Sequence, residues 1–268
     1  EILIGLVGSE MCIRDRFHTL FNVFTTALLI PFSRSLVKLS QFVIREKKSP
    51  DEFSVKYIDE RILQTPAIAL AQLIKEMSYM LEVAQRALDK AMDNFINRTE
   101  DEEPVRKDLR EINFLSGKVT DYLIRLSEED MSHNDELTVS SLYKVLSDIM
   151  RVADFSNNIM RYLRVAVANE LYFSSEGLNE IKEMYSLVDE LFKDVDYTFA
   201  NRTTRLLAKI EDTESKTDKF KLQLQQNHLD RLKGGNCKSE SSSLYVNLIG
   251  NIERVADHLV YIAQSVKE

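Results

Sequence analysis

Glu253 and Asp257 stand four residues apart in the stretch NIERVADHL, and on a helix that spacing turns both carboxylates to one face. Paired carboxylates offer hard oxygen ligands, which suit a divalent or iron-type cation. Two carboxylates do not complete a coordination shell, and an acidic pair beside Arg254 equally suits a solvated, salt-bridged face, so both readings stay open. The tetrapeptide RVAD that carries Asp257, Arg254 to Asp257, also occurs at Arg151 to Asp154, which makes Asp154 a third candidate ligand. There Met150 occupies the place that Glu253 holds in the later copy, and a thioether is a poor ligand for hard cations. The candidate metal residues are thus Glu253, Asp257 and Asp154, with the later copy the better placed. His258 follows Asp257 but points about 100° away around the helix, and is expected on the bundle surface.

Other reactive side chains have simpler explanations. His228 and Cys237 lie in HLDRLKGGNC, where Gly234 or Gly235 can supply a left-handed residue at a helix end. No zinc-finger, phosphate-loop, dinucleotide or nucleophile-elbow spacing occurs, so catalysis is not expected and no catalytic or cofactor-binding residue is assigned. Nor is a cluster of Arg at exposed helix N-termini legible, which leaves phosphate binding within this domain without support.

The elements that must position these residues are helices. The chain has 268 residues, with only 7 Gly and 4 Pro, which favours long uninterrupted elements. From Pro66 apolar residues recur at helical spacing through Ala69, Leu73, Met77, Met80, Leu81, Ala84 and Leu88, to about Asn97. A second stretch runs through Leu109 to Leu126, a third from Leu137 to about Asn169, and a fourth from Leu178 to Ile210. Asp212 to Leu232 and Ser239 to Val266 make a fifth and a sixth. Leu146 to Ile159 (LSDIMRVADFSNNI) and Leu248 to Ile262 (LIGNIERVADHLVYI) form an internal repeat on the third helix of each half. Short breaks between helices imply antiparallel packing, so the expected fold is all-α, with two tandem three-helix bundles at about 66–170 and 171–268.

The formal net charge of -8 argues against nucleic acid as a partner. Cys12 and Cys237 lie too far apart in sequence for a paired metal motif and suit a reducing compartment. Residues 1–16 read as translated sequencing adapter, since LVGSEMCIRD is encoded in frame by such a string, and are set aside from fold reasoning. Phe17 to Phe32, FHTLFNVFTTALLIPF, carries no formal charge and is followed by Arg34, Lys38, Arg45, Lys47 and Lys48. A basic flank after an apolar run marks the cytoplasmic side of a membrane helix, so 17–45 is expected to end a membrane domain. The polar segment 46–65 is expected to be a linker.

The sequence from Asn227 to Val266, NHLDRLKGGNCKSESSSLYVNLIGNIERVADHLVYIAQSV, resembles the closing part of PhoU-like domains, especially those fused to the bacterial sodium/phosphate cotransporter family. FHTLFNVFTTALLIPF is similar to the last membrane helix of that family. The resemblance implies a regulatory PhoU-like domain, preceded by a partial transmembrane helix, in a sodium-dependent inorganic phosphate transporter of the inner membrane. Residues 46–268 would lie in the cytoplasm. It also implies the chain's own membrane transport domain as partner, with sodium and phosphate bound there, a homo-oligomer left open, and an ExxxD metal motif at Glu253 and Asp257. The Gln-Ser-rich transport motifs of the family are not in this sequence. A free-standing PhoU-type regulator of phosphate uptake and a metal-binding helical bundle are the alternatives.

Overall fold

The computed structural model describes residues 17–28, 53–235 and 239–267, in two units, Glu1–Glu52 and Phe53–Glu268. In the first, α1 covers residues 17–28. The rest of the expected membrane segment and residues 1–16 lie outside the described residues, and no helix among the described residues is long and apolar enough to cross a membrane.

The second unit is built from six long helices. α2 (Pro66–Asn97) starts with proline at its first position, where the missing N–H costs no helical bond. It buries a wide stripe that includes Leu73, Met77, Met80, Ala84, Leu88 and Met92. α3 (Glu103–Leu126) again has a proline in its first turn. α4 (His133–Ala168) and α5 (Ser175–Ala200) are capped by Ser132 and Ser174, whose hydroxyls accept the N–H of Asp135 at 3.2 Å and of Gly177 at 3.1 Å. α6 (Leu207–Lys233) runs into Gly234 and Gly235, the latter with φ of 69°, as the sequence led us to expect. α7 (Ser242–Gln264) closes the described fold. No strand occurs among the described residues.

α2, α3 and α4 pack together, as do α5, α6 and α7. The two sets join first helix to first helix, α2 on α5, and third to third, α4 on α7. The RVAD repeat lies on that second contact. Its middle residues, Val152 and Ala153 in one copy and Val255 and Ala256 in the other, are buried, while Arg151, Asp154 and Arg254 are exposed. Polar bonds also cross between the sets. Tyr185 donates to Asp89 at 2.5 Å, Gln85 to Asp189 at 3.0 Å, Asn251 to Tyr162 at 2.8 Å, and Ser78 donates to Asp196.

Helices α2, α4 and α5 end alike, on the left-handed residues Arg98, Glu170 and Arg202. In each case the following N–H returns to a carbonyl in the last turn: Thr99 to Asn94, Leu171 to Ala166 and Thr203 to Thr198. The fourth helix, expected to reach Ile210, therefore stops at Ala200. Arg98 donates to the carbonyl of Leu171 at 2.6 Å, and Arg202 to that of Ser265 at 3.3 Å. Each first helix thus places a cation on the carbonyl-rich C-terminal end of its own third helix.

The expected linker 46–65 needs correction, because the compact unit begins at Phe53. Glu76 is fully buried in α2, and its Oε2 accepts the N–H groups of Lys56 at 2.9 Å, Tyr57 at 2.6 Å and Ile58 at 3.2 Å. A buried carboxylate must be compensated, and three charge-assisted bonds do so. Lys56 lies 3.2 Å over the ring of Tyr79, Tyr122 donates to the carbonyl of Asp59 at 3.3 Å, and Leu63 is buried. Composition gave no sign of this clasp, since its donors are backbone groups.

Candidate functional site

α6 and α7 each carry a carboxylate pair at i,i+4, Glu214 with Asp218 and Glu253 with Asp257. The packing of α6 on α7 brings three of the four together: one carboxylate oxygen from each of Glu214, Asp218 and Asp257 lies within 4.8 Å of the others. All three residues are half-buried. Lys221 holds the remaining carboxylate, with its Nζ 2.9 Å from Glu253 Oε1.

Burial, followed by the charges of Glu253 and Asp218, pushes Asp257 above the ordinary carboxylate range. Burial, then Asp218 and Asp257, does the same to Glu214. Asp218 Oδ1 is shielded from solvent and accepts no hydrogen bond among the described residues. An all-oxygen, electron-rich donor set of this kind fits a hard cation such as magnesium, manganese or ferrous iron. Glu214, Asp218 and Asp257 would hold such an ion. It would screen their mutual repulsion and tie α6 to α7.

The residues singled out from sequence fare differently. Asp257 is part of the group, and Glu253 is beside it in ion-pair contact with Lys221. Asp154 lies exposed on α4 and does not join them, and Met150 packs against the core. Glu214 and Asp218 escaped sequence reading because they sit in IEDTESKTD, where closely spaced charges read as a solvated face. Their signal was the same E-x-x-x-D spacing as on α7. His258 is not a surface histidine: its Nδ1 lies 2.9 Å from Asp148 Oδ1 across the contact between α4 and α7.

His228 is 2 % exposed, stacked on Tyr245 with ring centroids 4.6 Å apart, and 2.7 Å from Ser242 Oγ. Burial, and then the charge of Arg231, lowers its pKa. Next to it Glu180 accepts from Arg231, Tyr245 and Asn227. These partners make His228 part of a packed polar network, while Cys237 lies outside the described residues.

The fold and the acidic cluster define a duplicated three-helix bundle with a candidate cation site in its second copy. The PhoU domain family matches at residues 77–163 and 181–266, once in each bundle and over more than half of the chain, and the chain belongs to this family. A protein of Salmonella typhimurium named "Putative inorganic phosphate export protein YjbB" is 22% identical over 275 residues, covering 99% of this chain and 49% of the relative. Its Escherichia coli K12 namesake is 24% identical over 265 residues, covering 94% and 47%. The chain thus spans about half the length of these curated relatives. The "Phosphate-specific transport system accessory protein PhoU homolog 1" of Thermotoga maritima is 24% identical over 205 residues, which is 74% of this chain and 85% of that protein.

Proposed function

We propose that this chain is the regulatory PhoU domain of a membrane protein that moves inorganic phosphate, and that it tunes flux through contacts between its bundles and a transport domain. One observation carries the reading. Similarity to proteins named for phosphate export extends over 99% of the chain, beyond the segments that match the PhoU domain itself. The apolar run Phe17 to Phe32 with its basic flank adds a membrane segment ahead of the bundles, at the cytoplasmic side of an inner membrane. Sodium coupling is part of the proposal and rests on the sequence resemblance. An acidic site joining α6 to α7 supplies a second input, through a bound cation.

Radiolabelled phosphate flux in cells tests this reading. The whole parent protein is compared with a version cut before Phe53, in sodium and in choline medium, for both uptake and efflux. Flux that changes on removing the domain supports regulation, and dependence on sodium supports coupling. Flux that is the same with and without the domain would sink the regulatory reading.

The Thermotoga match favours a second reading, a free-standing regulator, because that accessory protein aligns over 85% of its own length. In that case phosphate signalling would respond to the bundles expressed alone, and the parent protein would carry no flux.

A further inference from the structure

We propose that the groove between α3 and α4 is an anion site for a phosphate or phosphomonoester group. On α3, Arg106, Arg110 and Asn113 follow one another at i, i+4 and i+7, so their side chains share one face. On α4, Asn157 and Arg164 lie at i and i+7 and face them across a groove of about 320 Å³. The floor is apolar, made in part by buried Leu109 and Met160. Three guanidinia and two side-chain amides therefore converge on one concavity, in a chain whose net charge is -8. Such a local reversal of sign concentrates anions at the groove.

Glu102 marks where an anion sits. It lies in the groove and takes Arg106 Nε at 3.0 Å on one oxygen and Arg164 Nε at 3.0 Å on the other, so guanidinia from two helices meet on a single carboxylate. Arg110 is held from the rim by Glu103 at 2.8 Å. A guanidinium has five N–H donors in a planar fork, and one carboxylate does not exhaust them. A phosphate group offers more acceptor oxygens and more charge than a carboxylate, and arginine forks match its geometry. Glu102 is then an internal competitor that a phosphate ligand displaces. The sequence hides this site because its arginines, near the start of α3 and the end of α4, are separated by most of α3, a loop and most of α4.

The choice of phosphate as ligand rests on the reading above, but the experiment is separate from it. Inorganic phosphate is titrated calorimetrically into the full chain. A parallel arm measures co-sedimentation with phosphatidylcholine vesicles with and without phosphatidic acid. Arg164→Ala and Arg106→Ala should each weaken binding by roughly tenfold, the worth of a lost charge-assisted bond. Glu102→Gln should tighten binding, and Lys216→Ala on α6 serves as a control for surface charge. The same pattern with free phosphate identifies a soluble ligand, and with vesicles alone a lipid headgroup. Absence of binding in both arms, or binding that ignores the groove substitutions while the helical circular dichroism is intact, overturns the proposal. Either failure leaves the flux measurement unaffected, and a failed flux measurement leaves the groove titration standing.

Discussion

Glu214 and Asp257 hold their protons to a higher pH in the fold than in the unfolded chain, because burial and then the nearby carboxylate charges, Asp218 foremost for Glu214 and Glu253 for Asp257, oppose ionisation. Between the ordinary carboxylate range and these raised values, the folded chain binds more protons than the unfolded one. Stability is therefore greatest below that window and falls as pH rises through it. A cation that replaces the protons removes the fall. The metal-free chain should lose thermal stability as pH rises above the ordinary carboxylate range, and added manganese should restore it there. In Asp218→Asn both effects should shrink. A melting profile that is flat in pH and indifferent to metal would mean that the carboxylates are simply solvated. At this scale the sequence picked out Asp257, one of the three clustered carboxylates. Glu253 and Asp257 stood out in an apolar helix, whereas Glu214 and Asp218 were camouflaged by their charged neighbours. Asp154 was suggested by a repeat whose shared content is the buried Val-Ala pair, so the repetition reports packing more than ligation.

Element boundaries were legible where proline, serine or glycine marks them, as at Pro66, Ser132, Ser174 and Gly235. The end of α5 was missed, where Arg202 takes the left-handed conformation, because a side chain there ordinarily costs about 1 kcal/mol or more. Arg98 and Arg202 offset the cost by capping carbonyls of another helix end. The shared signal was present in the sequence, Asn-Arg-Thr at 97–99 and again at 201–203. The apolar register of α7 was read without difficulty: Leu248, Ile252, Val255 and Leu259 are all buried. Leu259→Ala should thus cost about 2–5 kcal/mol, read from the denaturant midpoint. A loss below about 1 kcal/mol would show that α7 relaxes around the cavity or packs in another rotation.

At the scale of the molecule, two bundles joined along α2 with α5 and α4 with α7 could be anticipated from the repeat and the short breaks, though the pairing of helices could not. The strap at residues 53–58 was invisible because one buried acid, Glu76, binds backbone groups of any sequence. Glu76→Ala takes the acceptor away from those donors. Hydrogen exchange at Lys56, Tyr57 and Ile58 should rise by roughly tenfold or more, the loss of a bond to a charged acceptor, while the amides of α4 stay protected. Unchanged exchange at the three positions would show that the strap is held by its apolar contacts instead. The point of attachment also has a mechanical meaning. The stretch of chain from Lys56 to Ile58 grips α2 at Glu76, about three turns and roughly 15 Å along the helix. A sideways pull on that chain acts through a lever arm, turning α2 as a rod before its first turn can unravel. Since α2 bears directly on α5, the turn would pass to the second bundle through that contact.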